Sequence, residues 1–333
     1  MRLLVLGGTS FVGRWVVTAA AERGWRVTTF NRGLGGWAHP GAEAIIGDRL
    51  RPADLAKLGA GRWDAVIDTW AGAPHAVRDS ARLLAGRAGR YVYVSSRAVY
   101  ASPLPRGLDE THPTVDASAD AEATGYPEDK RGGELAALEA FGDRAVLARA
   151  GLILGPHEDL GRLPHWLLRA ERGGPMLAPG PIDLPLRFID VRDLTDWMLD
   201  AAEGGVSGPV NLVNPAGHAT MGSLLRAVVD VTGGRAEPVW VAPEAIEAAG
   251  MDRWAELPGW LPPEPELAGL VWTDIRRAEA TGLRCRPLEE TVADTWAWLV
   301  AGGRVPPPGM AELGLDPAKE REILAAWGRR RSA

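Results

Sequence analysis

The chain has 333 residues, 46% hydrophobic and 24% charged, which is enough apolar material for one large domain or two smaller ones. Its formal net charge of −6 argues against a nucleic-acid partner, and a single cysteine, Cys285, excludes an intrachain disulfide and points to a reducing compartment. No apolar run is long enough for a secretory leader or a membrane span, so a cytoplasmic protein without a membrane partner is expected.

In chain order, Arg2–Leu6 reads as a strand, and Phe11–Arg23 (FVGRWVVTAAAER) as a helix ended by Gly24. Further strands are expected at Trp25–Phe30, Ala42–Ile46, Ala65–Asp68, Tyr91–Ser95 and Ala145–Leu154. Helices at Pro52–Leu58, Ala76–Ala88 and about Pro127–Phe141 separate them. Such alternation, with near-continuous apolar strands, predicts an α/β fold with a doubly wound parallel sheet covered on both faces. The second half is less regular. Gly173–Leu186 and Pro258–Pro265 read as loops, and Phe188–Val191 and Val210–Val213 as strands returning to the sheet. Helices at about Met221–Thr232, Leu288–Val300 and Pro317–Trp327 complete it, and Arg329–Arg331 read as a solvated tail.

The first strand runs directly into LGGTSFVG, Leu6 to Gly13, and a helix follows. That context gives a glycine-rich turn its meaning as a Rossmann phosphate loop. Gly7 allows the tight turn, and Gly13 lets the helix pack close to the sheet. The backbone N–H groups at Ser10–Val12 are expected to receive a pyrophosphate at the positive end of the helix dipole. Ser10 stands where a third glycine is usual, and its hydroxyl is expected either to donate to a phosphate or to crowd it. Gly7, Thr9, Ser10, Phe11, Val12 and Gly13 together form the expected cofactor cradle.

The second strand ends in Asn31 and Arg32, where an acidic residue would hold a ribose 2′-hydroxyl. An arginine there pairs with a 2′-phosphate, which favours NADP, with NAD as the alternative. Asp48, in IIGDRL, is placed to hold an adenine amino group or to cap the helix at Pro52. Thr69, Trp70 and Ser95, at the ends of the fourth and fifth strands, are expected to border the cofactor.

The fifth strand continues into VSSRAVY, and TGYPEDK places a tyrosine four residues before a lysine. The sequence is similar to the extended branch of the short-chain dehydrogenases/reductases, in the NAD-dependent epimerase/dehydratase family. Within it the sequence most resembles a bacterial set carrying GGT-x-F-x-G, NRG, VSS-x-x-VY and F-x-DVRDL. Those motifs stand here as Gly7–Gly13, Asn31–Gly33, Val94–Tyr100 and Phe188–Leu194, in order, over nearly the whole chain. The resemblance implies that Ser96, Tyr126 and Lys130 are catalytic, with Tyr126 and Lys130 also touching the cofactor. Reducing a carbonyl needs a hydride and a proton, and an ammonium one helical turn away favours a phenolate that can shuttle the proton. In the family the lysine also holds the nicotinamide ribose. Ser96 would hydrogen-bond the substrate oxygen. Pro127 fits the first helical position and leaves Tyr126 at the helix entrance.

Residues 1–156, with returns at about 188–214, are therefore expected to form the dinucleotide-binding domain. Residues 157–187 and 215–333 are expected to form a smaller mixed α/β substrate part with the C-terminal helices. Arg97, His157, Arg187 and Trp260 are candidates for the substrate side, with Trp254 beside Trp260 as a second pocket wall; loop packing is the alternative for both tryptophans and for His157. Family members acting on nucleotide sugars usually carry an arginine at the position occupied here by Leu186. Arg187 is one residue off, and Arg192, Arg276 and Arg277 are the alternatives. The six histidines show no metal-site spacing, so no metal is expected.

The expected activity is an NADP-dependent oxidoreductase acting on a carbonyl or hydroxyl of a polar small molecule, sugar-like or a specialised metabolite. A sugar or nucleotide-sugar epimerase with bound NAD is the alternative. A catalytically silent nucleotide- or RNA-binding protein is the reading of another class, since plant chloroplast proteins with a similar loop bind RNA. Dehydration is disfavoured because Arg97 and Ala98 stand where dehydratases often carry Asp-Glu. The family's habit of pairing through two helices implies a homodimer.

Overall fold

A computed structural model of the chain describes residues 1–252, 255–307, 309 and 313–332. It divides into two compact units: residues 1–151, 191–213 and 273–284, and residues 152–190, 214–272 and 285–333.

The first unit begins with β1 (Arg2–Leu6), α1 (Phe11–Glu22), β2 (Arg26–Asn31), β3 (Ala42–Ile46) and the single turn α2 (Pro52–Leu55). It continues with β4 (Trp63–Asp68), α3 (Pro74–Leu84), β5 (Ala88–Ser96), α4 (Tyr126–Phe141) and β6 (Ala145–Ala150). The strands form one sheet with β10 (Gly208–Leu212), in the order β10-β6-β5-β4-β1-β2-β3, and every neighbouring pair is parallel. This is the doubly wound α/β sheet expected from the alternation of elements.

Successive side chains on a strand face opposite ways, so a strand buried on both faces is apolar throughout. Leu4, Leu6, Val66, Tyr91, Tyr93 and Leu147 face one core together with Val77 and Ala81 of α3 and Ala136, Ala137 and Phe141 of α4. Leu3, Val5, Val92 and Val94 alternate with them and are equally buried. On that side α1 packs against α6 (Val191–Glu203). The short helix α10 (Arg276–Ala280) lies beside β10.

In this unit the two largest departures from the expected element boundaries are at the ends of α3 and β6. The helix expected to reach Ala88 stops at Leu84, where Arg87 N–H closes a turn on the Leu84 carbonyl and Ala88 already belongs to β5. The strand expected over Ala145–Leu154 breaks at Gly151. Its N–H bonds to the Leu212 carbonyl, and a Cβ there would come within 2.9 Å of Val213.

The second unit starts after that break with β7 (Leu152–Leu154), α5 (Arg162–Glu171), β8 (Gly174–Pro179) and β9 (Phe188–Asp190). Then come α7 (Met221–Val231), β11 (Ala236–Val241), α8 (Pro243–Ala248), α9 (Ala268–Val271), α11 (Leu288–Ala301) and α12 (Pro317–Ser332). The Phe188 strand does not return to the central sheet: it pairs in parallel with β7. The stretch read as a loop at Gly173–Leu186 contains β8, which pairs with β11. Pro175, Pro179 and Pro238 disguise both strands, and they are tolerated because each strand of a two-stranded sheet keeps an unpaired edge. Trp166, Leu167, Phe188, Leu225, Trp260 and Val292 form part of this unit's own core. No helix among the described residues is long and apolar enough to cross a membrane.

Candidate active site

The phosphate turn follows from local chemistry. Gly7 and Gly8 have φ of 122° and 93°, a region open to glycine but costly for other residues. Gly13 carries the close packing: a Cβ there would lie 2.6 Å from Gly8 N. Ser10 is the N-cap of α1 in extended geometry, and its hydroxyl makes no capping bond. The first-turn N–H groups of α1 therefore lack a side-chain acceptor and are suited to an external anion. Phe11 is buried and Val12 half-buried, and neither lines the cavity beside the turn.

A cavity of about 390 Å³ opens beside the turn. Gly7, Thr9, Ser10, Asn31, Arg32 and Asp48 line it, as do Thr69 and Trp70. Asn31 is spent on the loop itself: its Oδ1 accepts Gly33 N–H at 2.8 Å and its Nδ2 donates to Thr29. Arg32 stands exposed on the cavity rim. Asp48 accepts Leu50 N–H at 3.0 Å and does not cap the helix at Pro52, whose N-cap is Arg51. The Thr69 hydroxyl donates to the Leu6 carbonyl, and the Trp70 indole to the Ala73 carbonyl. Ser95 is not at the cavity. It is buried on the α4 side of β5, donating to Glu134 Oε1 at 2.7 Å, as strand alternation requires when Ser96 faces the other way.

Ser96 ends β5 half-buried, and its hydroxyl accepts Ala98 N–H at 3.1 Å. Tyr126 is the first residue of α4, so the helix begins one residue earlier than Pro127 suggested. Its side chain is 52% exposed. Lys130, one turn further, is buried, and its ammonium donates to the Trp70 and Val94 carbonyls, each at 2.7 Å. It also lies 5.0 Å from the centre of the Tyr93 ring. Burial pushes Lys130 down to about 8, against the pull of Asp68 and Glu134 toward the charged form. The ammonium keeps one N–H for another acceptor.

The residues expected on the substrate side separate. Arg97 is buried in the first unit and donates to the Thr273 hydroxyl. The other three belong to the second unit. His157, with φ of 70°, packs edge-on against Trp298. Arg187 is buried near Cys285, and burial lowers it to about 10. Trp260 is 2% exposed in the core and donates its indole N–H to the Gly180 carbonyl at 3.0 Å, a packing role. Leu186 is buried, and its N–H bonds to the Ala219 carbonyl. Arg276 pairs with Asp274, Arg277 donates to the Ser207 carbonyl, and Arg192 lies over Trp15. Trp254 lies outside the described residues, as do the side chains of Arg330 and Arg331. Among the described residues no cluster could hold a metal.

Sequence reasoning missed Arg49 and Asp68, a buried pair at 2.7 Å whose arginine lines the cavity. The signal was present: a carboxylate closing the apolar run of β4 demands a partner.

The family model "NAD dependent epimerase/dehydratase family" matches residues 3–85 and 76–213. The chain belongs to that family, consistent with the extended short-chain dehydrogenase/reductase class. It is similar to the Bos taurus "Epimerase family protein SDR39U1", at 29% identity over 68% of this chain and 79% of that one. The Bordetella bronchiseptica enzyme WbmH, solved with NAD+, has the same fold at TM-score 0.69 and 19% identity, covering 91% of this chain and 99% of that one. A UDP-glucose 4-epimerase from Thermotoga maritima, solved with UDP-glucose, follows at TM-score 0.68 and 18% identity, covering 91% and 99%.

Proposed function

We propose that the protein is an NADP-dependent oxidoreductase that reduces a ketone, or oxidises an alcohol, on a polar small molecule. The observation that carries this reading is the buried Lys130 ammonium one helical turn from a half-exposed Tyr126, in the same unit as the phosphate turn. In this reading the first turn of α1 and Ser10 hold the pyrophosphate, and Arg32 on the cavity rim pairs with the 2′-phosphate. A bound nicotinamide would give or take the hydride. Tyr126 hands its hydroxyl proton to the carbonyl oxygen during reduction and takes it back during oxidation. Lys130 favours the phenolate and holds the ribose through its remaining N–H, and Ser96 donates to the substrate oxygen. A cytoplasmic homodimer belongs to the same reading, and sedimentation measures the assembly.

The test is to denature the purified protein, identify any dinucleotide released, and titrate the emptied protein with NADPH and NADH. Tighter binding of NADPH supports the oxidoreductase. Stoichiometric NAD that resists removal supports the second reading, an epimerase that takes a hydride and returns it, which family membership and the NAD-bound fold relative favour. Absence of affinity for either dinucleotide sinks both.

A further inference from the structure

Asp68 ends β4, and Arg49 lies three residues beyond β3; both are buried, Asp68 completely. The guanidinium grips the carboxylate through two parallel bonds, Nη1 to Oδ1 at 2.7 Å and Nη2 to Oδ2 at 2.8 Å. Nη2 also donates to the Ala76 carbonyl and the Ser80 hydroxyl, and Tyr91 donates its hydroxyl to Asp68 Oδ2. Burial pushes the Asp68 carboxyl up, but Arg49 and the hydrogen bonds outweigh it and leave the group below the usual carboxylate range. A buried ion pair is rarely better for stability than apolar side chains of the same size, because desolvation cancels the attraction. Its presence here calls for another role.

The pair is wired to Lys130. Asp68 Oδ1 accepts the Trp70 N–H at 3.0 Å, and the carbonyl of the same Trp70 accepts the Lys130 ammonium at 2.7 Å. The Arg49 guanidinium lies 5.0 Å from the centre of the Trp70 ring, and the Trp70 indole is anchored on Ala73. From the other side Lys130 is held by the Val94 carbonyl and the face of Tyr93. Tyr93 in turn lies against Gly133, where a Cβ would strike its hydroxyl. Moving Asp68 would move the Trp70 peptide, and with it one of the two acceptors of Lys130.

The charges around Lys130 come from several elements. Asp68 faces it from the end of β4, Arg49 from the loop after β3, and Asp129 and Glu134 from its own helix. Glu134 is itself neutralised by Arg149 and Arg131 and accepts from Ser95. After desolvation, Asp68 is the strongest influence on Lys130, ahead of Glu134, and Arg49 acts in the opposite sense.

We propose that the Arg49–Asp68 pair is a positioning device for Lys130: it fixes the Trp70 carbonyl that receives the ammonium and sets the balance between the charged and neutral lysine. The importance of that balance for turnover rests on the catalytic reading of Lys130; the existence of the coupling does not. The protein has three lysines, Lys57, Lys130 and Lys319, so lysine-Cε NMR resolves the group of interest, with Lys130→Met as the assignment control.

In Asp68→Asn the Lys130 titration is expected to move about one unit toward acid, the size of shift that loss of an adjacent opposite charge produces. In Arg49→Gln it moves toward alkali. Folding is checked by a cooperative thermal transition. Where a single variant fails to fold because it strands a buried charge, the double variant Arg49→Gln/Asp68→Asn removes both charges and decides. Its Lys130 titration is expected to move toward acid, since Asp68 outweighs Arg49. A Lys130 midpoint unchanged in the folded variants, or one that moves the same way in both single variants, overturns the proposal. Turnover of Lys130→Met tests the catalytic reading separately.

Discussion

Both units bury charged side chains, but they use them differently. In the first unit three of the buried charges sit at or near the carboxyl ends of parallel strands: Asp68 at the end of β4, Arg49 after β3, and Lys130 against the end of β5. Arg49 lines a cavity there, and Lys130 donates to the carbonyl of Trp70, which also lines it. In the second unit they close helix and strand ends. Glu158 accepts the N–H groups of Arg162 and Leu163 at the start of α5, and burial raises it to about 7. Arg169 binds Glu320 at 2.7 Å and donates to the Gly173 and Pro175 carbonyls. Asp190 accepts from Thr291. A buried charge that satisfies backbone groups serves the fold.

Substitutions should separate these roles. The largest effect is expected from Tyr126→Phe, which should lower turnover at least about 100-fold while leaving dinucleotide affinity and the thermal midpoint in place. Full turnover in this variant would mean that the proton travels by another route. Next is Arg169→Met in the second unit. It leaves Glu320 buried without its partner and should cost about 3 kcal/mol in urea denaturation, with NADPH affinity of the folded protein unchanged. Weakened binding at wild-type stability would reverse the comparison.

Arg32→Ala should weaken NADPH about tenfold and leave NADH nearly untouched, the loss expected for one exposed charge-assisted pair. Equal loss for both dinucleotides would remove Arg32 as the reader of the 2′-phosphate.

The smallest effect is a slope. Burial lowers His165 to about 4, below its usual 6.5. Between those values the unfolded chain binds a proton that the folded one refuses, so this group costs stability as pH falls from about 6.5 to about 4, at no more than about 1.4 kcal/mol per pH unit. Glu158 acts in the opposite sense, because its raised value lets the folded state hold a proton between 4.5 and about 7. The measurement is therefore the difference between the protein and His165→Gln, whose acid limb should be flatter.

The sheet was legible because buried parallel strands are apolar on both faces and helices carry their own period. The phosphate turn was legible because it is local: strand, glycines and helix follow one another in twelve residues or so of chain. The strands β8 and β11 were hidden because their prolines matter only if both edges are paired, and pairing is not written in either segment. The Phe188 strand had the composition of a sheet strand, but its partner was β7 rather than the central sheet.

The sequence by itself determined the central sheet, the turn at Gly7–Gly13 and the spacing of Tyr126 and Lys130, since each depends on residues near one another in the chain. Tertiary structure alone decided that Ser95 faces Glu134, that Trp260 serves the core, and that Arg49 and Asp68 meet beneath Trp70. Those outcomes turn on which face of a strand meets which helix, and on desolvation that exists only once distant segments have closed around a charge.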